Sequence, residues 1–162
     1  MLWTDGGVNV KIAIGSDHAG FPYKKPIIDH LHKRGIETID KGCYSDAPID
    51  YPVYAIKVAE AVRDKEADYG VLVCATGIGM SIAANKVKGI RAGAPYTEFI
   101  AKAMKEHNHV NVLCLGSRTN TIQEVLSFVD SYLESDYSSS ERHLRRLEII
   151  RNYEENDKKW EK

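Results

Sequence analysis

The sequence predicts an α/β fold, with a doubly wound, five-stranded parallel sheet as the middle layer of a three-layer α/β/α sandwich. Short apolar runs, nearly uninterrupted by polar residues, are typical of strands buried on both faces. Longer amphipathic segments alternate with these runs, and such alternation requires right-handed crossovers between parallel strands. The 162 residues suffice for one domain with a sizeable core.

Five apolar runs are the predicted strands. They cover residues 10–15, 36–40, 69–74, 89–94 and 110–115. Apolar residues at helical spacing predict helices over residues 23–34, 53–64, 97–107 and 121–133, and a short glycine-rich turn after residue 74 leads into another helix. Gly35 is placed to end the first helix as its C-cap.

The two ends of the chain differ from this core. Residues 10–150 are predicted to form a single domain, preceded by a flexible extension over residues 1–9. A charged helix is predicted over residues 141–155, and residues 151–162 form a charged C-terminal tail. The helix carries a narrow apolar stripe that could pack on a neighbouring subunit, made of Leu144, Leu147 and Ile150.

Composition excludes several classes of function. The formal net charge is −1, so there is no global positive field to attract nucleic acid or a membrane surface. No apolar run approaches the roughly 20 residues that span a bilayer, and the first nine residues do not resemble a signal peptide. Three widely spaced cysteines, Cys43, Cys74 and Cys114, favour neither a disulfide framework nor a zinc site. We expect a cytoplasmic protein with reduced thiols.

Polar residues follow the first predicted strand, where ligands bind in open α/β sheets. Asp17 and His18 bring a carboxylate and an imidazole to the carboxyl edge of the sheet. The alternative role for Asp17 is to cap the helix that follows.

The segment after the third strand, residues 74–86, is the most informative in the chain. A buried strand ends at the thiol of Cys74, a glycine-rich turn follows, and a helix begins. Glycines let the backbone approach a ligand closely, and the start of a helix favours negative charge, including a thiolate. The turn has neither the G-x-G-x-x-G spacing of a dinucleotide site nor the G-K-[ST] ending of a Walker loop. A structural, buried thiol remains the alternative for Cys74.

Histidines and arginines near the end of the chain complete the candidates. His107 has the ordinary pKa range of a proton-transfer group, although a surface histidine is the alternative, and its i, i+2 spacing with His109 does not favour a metal site. Arg142 and Arg146 share one helical face and could hold a phosphate. A solvated basic face is the blander interpretation, and nucleic acid binding is weaker still.

Seven segments together resemble type B ribose-5-phosphate isomerase, in a family that also includes galactose-6-phosphate and allose-6-phosphate isomerases. They are residues 16–21, 50–52, 74–86, 89–92, 107–108, 116–118 and 142–143, and they occur in family order. The resemblance implies a Rossmann-like sheet and a homodimer that can pair into a tetramer. It also implies an active site completed across the dimer interface, with the C-terminal helix reaching the partner, and no metal or organic cofactor.

The resemblance implies a role for each matching residue. Cys74 would be the general base and His107 the group that opens the furanose ring. The reacting hydroxyls would contact Thr76 and Asp17. The sugar site would comprise Tyr51 and Asn108, together with an anion hole made of Gly77, Ile78, Gly79, Met80 and Ser81. The phosphate would be held by His18, Arg118, Arg142 and Arg146.

The function implied is interconversion of D-ribose 5-phosphate and D-ribulose 5-phosphate, in the non-oxidative branch of the pentose phosphate pathway. A base moves a proton between neighbouring carbons, and fixed donors stabilise the enediolate formed between the two steps. An aldohexose-6-phosphate isomerase is the nearest alternative, and a non-catalytic phosphate-binding module is the more distant one. The sequence departs from the family pattern at Ala75, at Ser140 and Glu141, and at residues 93–95.

Overall fold

The structure, a computed structural model, describes residues 4–5 and 8–155 of the chain. Strands β1 (Thr4–Asp5) and β2 (Val8–Asn9) form a small antiparallel pair. The main sheet contains β3 (Lys11–Ser16), β4 (Glu37–Asp40), β5 (Tyr69–Cys74), β6 (Ala92–Gly93) and β7 (Val112–Gly116). The helices are α1 (Phe21–Lys33), α2 (Tyr51–Arg63), α3 (Ile78–Ala84), α4 (Glu98–Asn108), α5 (Ile122–Leu133) and α6 (Glu141–Glu155).

The main sheet is parallel throughout, with strand order β4-β3-β5-β7-β6. The predicted doubly wound fold is therefore confirmed. The chain builds β4 on one side of β3 and then crosses to place β5 on the other side. The strand order reverses there, which opens a crevice beyond the carboxyl ends of β3 and β5.

Two apolar cores lie on the two faces of the sheet. One contains buried residues of α1, α4 and α5, including Leu31, Met104 and Phe128. The other contains buried residues of α2 and α3, including Val58 and Met80. Strand β5 is buried along its whole length, because it is covered on both faces.

The ends of the helices follow the local sequence signals. Gly35 has φ +75°, and the N–H of Ile36 donates to the carbonyl of Leu31 at 3.0 Å, so the predicted C-cap is confirmed. A capping box starts α5, since Thr121 and Glu124 each accept a hydrogen bond from the other's backbone N–H. These caps fix where the helices begin and end beside the sheet.

The structure shortens two of the predicted strands. Only Ala92 and Gly93 of the predicted run over residues 89–94 pair with β7, because the chain turns at Gly89, with φ +81°. Strand β7 begins at Val112, two residues later than predicted, since Asn111 turns back to donate its N–H to the carbonyl of Arg91 at 3.0 Å. The predicted strands therefore included residues of the two segments that lead into β6 and β7, which bond to each other at the amino edge.

The two ends of the chain are partly described. Residues 1–3 and 6–7 of the predicted flexible extension, and residues 156–162 of the predicted tail, lie outside the described residues. The first five residues of the predicted tail continue α6, where the Glu154 carboxylate accepts the N–H of Gly89 at 2.9 and 3.0 Å. None of the described helices is both long and apolar enough to cross a membrane.

Candidate active site

Three neighbouring strands, β3, β5 and β7, end together at the carboxyl edge of the sheet. Ser16 lies opposite Val73 in the register, and Cys74 lies opposite Gly116. The residue after β3, Asp17, donates its N–H to the carbonyl of Val73 at 3.1 Å. Asp17 and Cys74 therefore stand on either side of the crevice at the reversal of strand order.

Cys74 is a buried thiol held by a backbone donor. It is 5% exposed, and its Sγ accepts a hydrogen bond from the N–H of Gly77 at 3.1 Å. Gly77 has φ +78°, and a Cβ at this position would lie 3.1 Å from the carbonyl oxygen of Cys114. Only glycine fits this turn without strain, and the turn presents the N–H that the Cys74 sulfur accepts.

In the predicted anion hole over residues 77–81, some backbone N–H groups already have an acceptor within the protein and others do not. The N–H groups of Gly77 and Ile78 donate to the side chains of Cys74 and Thr76, and Ser81 N–H donates to the carbonyl of Gly77. Gly79 and Met80 lie in the first turn of α3, where N–H groups have no acceptor within the helix. These two groups are therefore the ones that face outward for an anion.

Asp17 holds the turn before α1, although the N-cap of that helix is Gly20 and no side chain caps it. Its Oδ1 accepts the N–H of Gly20 at 2.9 Å, just before α1. Gly20 is required there because a Cβ would lie 2.2 Å from the carbonyl oxygen of Val73. The turn thus holds one carboxylate oxygen of Asp17 and leaves the other, Oδ2, for a ligand.

The remaining candidates at this edge surround the crevice. The ring of Tyr51 lies so close to Gly79 that a Cβ there would be 2.8 Å from it. His18 Nδ1 accepts the N–H of Ile49 at 3.3 Å. Arg118 is exposed, and its N–H donates to the carbonyl of Ala75 at 2.9 Å. The structure therefore brings most of the predicted site residues to one edge of the sheet.

His107 and Asn108 lie at the opposite edge. They end α4, which starts after β6 and returns to the beginning of β7. The first residue of β7, Val112, pairs with Gly70 near the start of β5. Strands of this length rise about 3.3 Å per residue, so roughly 15–20 Å of sheet separates the two edges. One chain therefore does not bring His107 to Cys74.

The C-terminal helix joins this second group. The rings of His107 and His143 lie 4.4 Å apart, and His143 Nε2 accepts a hydrogen bond from Arg142 Nε at 3.2 Å. His143 Nδ1 lies 3.0 Å from Ser138 Oγ. Burial of this imidazole lowers its pKa below the ordinary histidine value, and the nearby charges of His107, Arg142 and Arg146 lower it further. Arg142 and Arg146 therefore belong with His107, at the amino edge.

Sequence reasoning gave no role to His143 or Cys114. His143 was visible only as part of the motif with Arg142, and its contact with His107 depends on how α6 packs against α4. Cys114 lies behind the turn after Cys74, and burial, together with the neighbouring Cys74, raises the pKa of the Cys114 thiol. Across residues 4–5 and 8–155, no group of three or more His, Cys, Asp or Glu side chains is arranged to hold a metal ion.

A groove of about 710 Å³ lies beneath α6 and not beside Cys74. It is lined by residues that include Asn85, Arg91, Asn108, Ile150 and Tyr153. Among the described residues no thiol lines it, and its one carboxylate, Glu154, accepts the N–H of Gly89. The carboxyl edge, in contrast, contains the thiol of Cys74 beside the predicted anion hole. The carboxyl edge is therefore the stronger candidate site, because of the chemical groups it contains and not because of the size of a cavity.

Known proteins match this sequence and this fold. A family model described as Ribose/Galactose Isomerase matches residues 12–150. Ribose-5-phosphate isomerase B of Escherichia coli is 46% identical over 140 residues, which cover 86% of this chain and 93% of that protein. The solved structure of Clostridium thermocellum ribose-5-phosphate isomerase B has a TM-score of 0.89 and 43% identity, covering 91% of this chain and 99% of that one.

A second solved structure, that of Mycoplasma genitalium ribose-5-phosphate isomerase B, contains bound ribulose 5-phosphate. It has a TM-score of 0.86 and 40% identity, and it covers 91% of this chain and 97% of that one. Sequence and structure thus agree over nearly the full length of each relative. The chain therefore belongs to the ribose/galactose isomerase family, as its motifs predict.

Proposed function

We propose that this chain is an isomerase that interconverts D-ribose 5-phosphate and D-ribulose 5-phosphate. The observation that carries the proposal is the position of Cys74, a buried thiol that accepts the N–H of Gly77 at the carboxyl edge of the sheet. Thr76 and the free oxygen of Asp17 flank the same crevice. The E. coli and C. thermocellum relatives carry the name of this activity.

The chemistry follows from these groups. The Cys74 thiolate removes the proton on carbon 2 of the open-chain sugar and returns it to carbon 1. Between these two steps the enediolate carries negative charge on the substrate oxygens, and the N–H groups of Gly79 and Met80 donate to it. Thr76 and Asp17 hold the hydroxyls that exchange protons. His107 opens the furanose ring before the transfer begins.

The separation of the two edges leads us to propose a homodimer with a shared active site. His107, Asn108, Arg142 and Arg146 of a second copy would complete the crevice beside Cys74. An exposed apolar surface beside the crevice supports contact with a second copy, and it consists of Val53, Ile56, Ile78 and Ile82. A pair of dimers forming a tetramer remains a further prediction.

We also propose that the enzyme works in the cytoplasm. Cys43, Cys74 and Cys114 are all free thiols. A catalytic base that is a cysteine requires a compartment that keeps thiols reduced.

The decisive experiment compares wild type with Cys74→Ala in the presence of a chelator, measuring ribulose 5-phosphate formed from ribose 5-phosphate. We expect metal-independent turnover that falls by about 10²- to 10⁴-fold in the variant, the range for loss of a general base. Cys114→Ala is the matched control, since it removes a neighbouring buried thiol, and its turnover should stay within about threefold of wild type.

Each other outcome has a distinct meaning. A folded wild type without turnover would contradict the pentose activity, and hexose 6-phosphates would be the next substrates. Turnover that survives Cys74→Ala would keep the reaction and exclude Cys74 as its base.

A further inference from the structure

Lys24 is a buried cation that the proposed reaction does not use. It lies in α1 and is 4% exposed. Its Nζ donates to Asp40 Oδ1 at 2.9 Å and to the carbonyl oxygen of Cys43. The rings of Phe21 and Tyr44 lie 5.5 and 4.9 Å from the ammonium. Burying an ammonium costs free energy unless its charge is compensated. These contacts compensate the charge, and they indicate that Lys24 holds Asp40 and the backbone at Cys43 in place.

Lys24 holds the start of the loop formed by residues 41–50, which joins β4 to α2. The same stretch is tied to the end of β3. Ser16 N–H donates to the carbonyl of Gly42 at 2.7 Å, and Cys43 N–H donates back to the carbonyl of Ser16 at 2.9 Å. The rest of the loop is exposed, so its position depends on this anchored start.

The far end of the loop contacts the substrate site. Ile49 N–H donates to His18 Nδ1 at 3.3 Å, which leaves Nε2 of a neutral His18 as the nitrogen that carries the proton and donates to a phosphate. The residue after the loop, Tyr51, starts α2 and places its ring against Gly79 of the anion hole. A shift of this loop would therefore move two substrate contacts together.

We propose that Lys24 is a positioning residue that fixes loop 41–50 and, through it, sets His18 and Tyr51 on the sugar phosphate. The inference rests on the proposed function. Removing the ammonium frees the Cys43 carbonyl and the Asp40 carboxylate from their shared donor, and the exposed loop then samples more positions. The effect falls on substrate binding, because Cys74 is held by Gly77, in a separate turn.

The test is steady-state kinetics of Lys24→Met with ribose 5-phosphate, well below the unfolding temperature. We expect KM to rise about tenfold while kcat changes by less than about threefold, since binding contacts are displaced and the base is not. Lys25→Met is the matched control on the same helix, because Lys25 pairs only with Asp29 at 2.6 Å on the surface. It should leave both constants unchanged.

A general loss of stability is separated from positioning in two ways. Val129→Ala truncates the buried core of α5 and lowers stability without touching the loop, so its KM should match wild type. In a His18→Ala background, Lys24→Met should raise KM by much less than it does alone, since one of the contacts it positions is already absent. A purely structural role predicts full additivity in that background.

The outcomes distinguish this inference from the proposed function. Wild type without turnover counts against the function, whereas an active wild type and an unchanged KM in folded Lys24→Met overturn the role of Lys24. If Lys24→Met does not fold, Asp40→Asn weakens the same contact from its half-exposed side. A smaller rise in KM supports the proposal, and an unchanged KM contradicts it.

Discussion

The carboxyl and amino edges of the sheet hold their candidate residues in different ways. At the carboxyl edge, Cys74 and Asp17 are buried, and each accepts a backbone N–H from a turn that requires glycine. At the amino edge, His107 and Arg142 are exposed on the surfaces of helices. A proton-transfer base benefits from a rigid, water-excluded position, whereas the histidine and the arginine at the amino edge face solvent in a single chain.

The difference also explains why the proposed function requires two copies of the chain. Under the proposed function, the carboxyl edge supplies the base and the anion hole but lacks the group that opens the ring. The amino edge would supply that group and two arginines, and it lacks the thiol of Cys74 and the glycine turn that holds it. Each edge supplies what the other lacks, so a two-fold arrangement of copies would form two complete sites.

Mixing two inactive variants is the strongest test of this complementarity. Cys74→Ala damages the carboxyl edge and His107→Ala the amino edge, and each alone should lose about 10²- to 10⁴-fold in kcat. Subunits refolded together at equal amounts should recover about one quarter of wild-type activity, since half of the dimers are mixed and each mixed dimer has one intact site. Activity assays across mixing ratios provide the measurement.

A same-edge pair provides the control for mixing. Cys74→Ala with Asp17→Ala damages the carboxyl edge of both copies, so every site in a mixed dimer stays incomplete. Recovery in this pair, or its absence in the first pair despite proven subunit exchange, would mean that the sites are not shared between copies.

Arg142 tests whether the exposed amino edge binds substrate. Arg142→Ala should raise KM about 10- to 100-fold, because a hydrogen bond to a charged group contributes about 1.5–3 kcal/mol. Arg151→Ala is the control, since Arg151 is exposed on the same helix and pairs with Glu148 at 3.3 Å. Equal effects of the two variants on KM would assign Arg142 to a solvated basic face.

Sequence patterns predicted the carboxyl edge well because its determinants are local. A buried strand, a thiol and closely spaced glycines occur within residues 69–81, and the spacing alone dictates a strand, a turn and a helix. The amino edge depends on packing between segments far apart in the chain, such as the contact of His143 with His107. Burial and protonation of His143 follow from that packing, and no local pattern encodes them.

The same contrast explains why Lys24 carried no signal in the sequence. It lies among the polar residues of an amphipathic helix, and periodicity assigns such a lysine to the solvent face. Its partner, the carbonyl oxygen of Cys43, lies in a loop. The sequence gives the length of this loop but not its position against α1. The predicted strands β6 and β7 began too early for a similar reason. Asn111 Oδ1 accepts the N–H of Arg91, and this contact between distant segments shapes the chain before each strand.

Two glycines with positive φ allow the rigidity of the edges to be compared directly. Gly77 and Gly89 have φ +78° and +81°, but an added Cβ meets backbone only at Gly77. Gly89→Ala should cost about 1 kcal/mol, the strain of left-handed backbone alone. Gly77→Ala should cost at least about 2 kcal/mol and also lower kcat, because the turn that holds Cys74 must shift.

Denaturant unfolding with parallel activity assays measures both variants. Equal losses of stability, with kcat intact in both, would contradict the idea that the carboxyl edge is the more tightly constrained of the two.

The smallest expected effect concerns the pH dependence of stability, and it arises at the amino edge. Burial and neighbouring positive charge lower the pKa of His143, so the folded protein binds a proton there less readily than the unfolded chain does. Below the ordinary histidine value of about 6.5, the unfolded state takes up the proton first, and the free energy of unfolding falls as the pH falls. Above that value the contribution is constant.

Thermal unfolding between about pH 5 and 8 measures this slope. Tm should fall less steeply toward low pH in His143→Gln than in wild type, because the variant has no imidazole to protonate at the buried position. His32→Gln is the control, since the His32 side chain is exposed on α1 and its Nε2 lies 2.9 Å from Thr38 Oγ1. If His143→Gln retains the full wild-type slope, the packing of α6 on His107 does not control the acid sensitivity of this edge, and the pH dependence must arise from groups elsewhere in the fold.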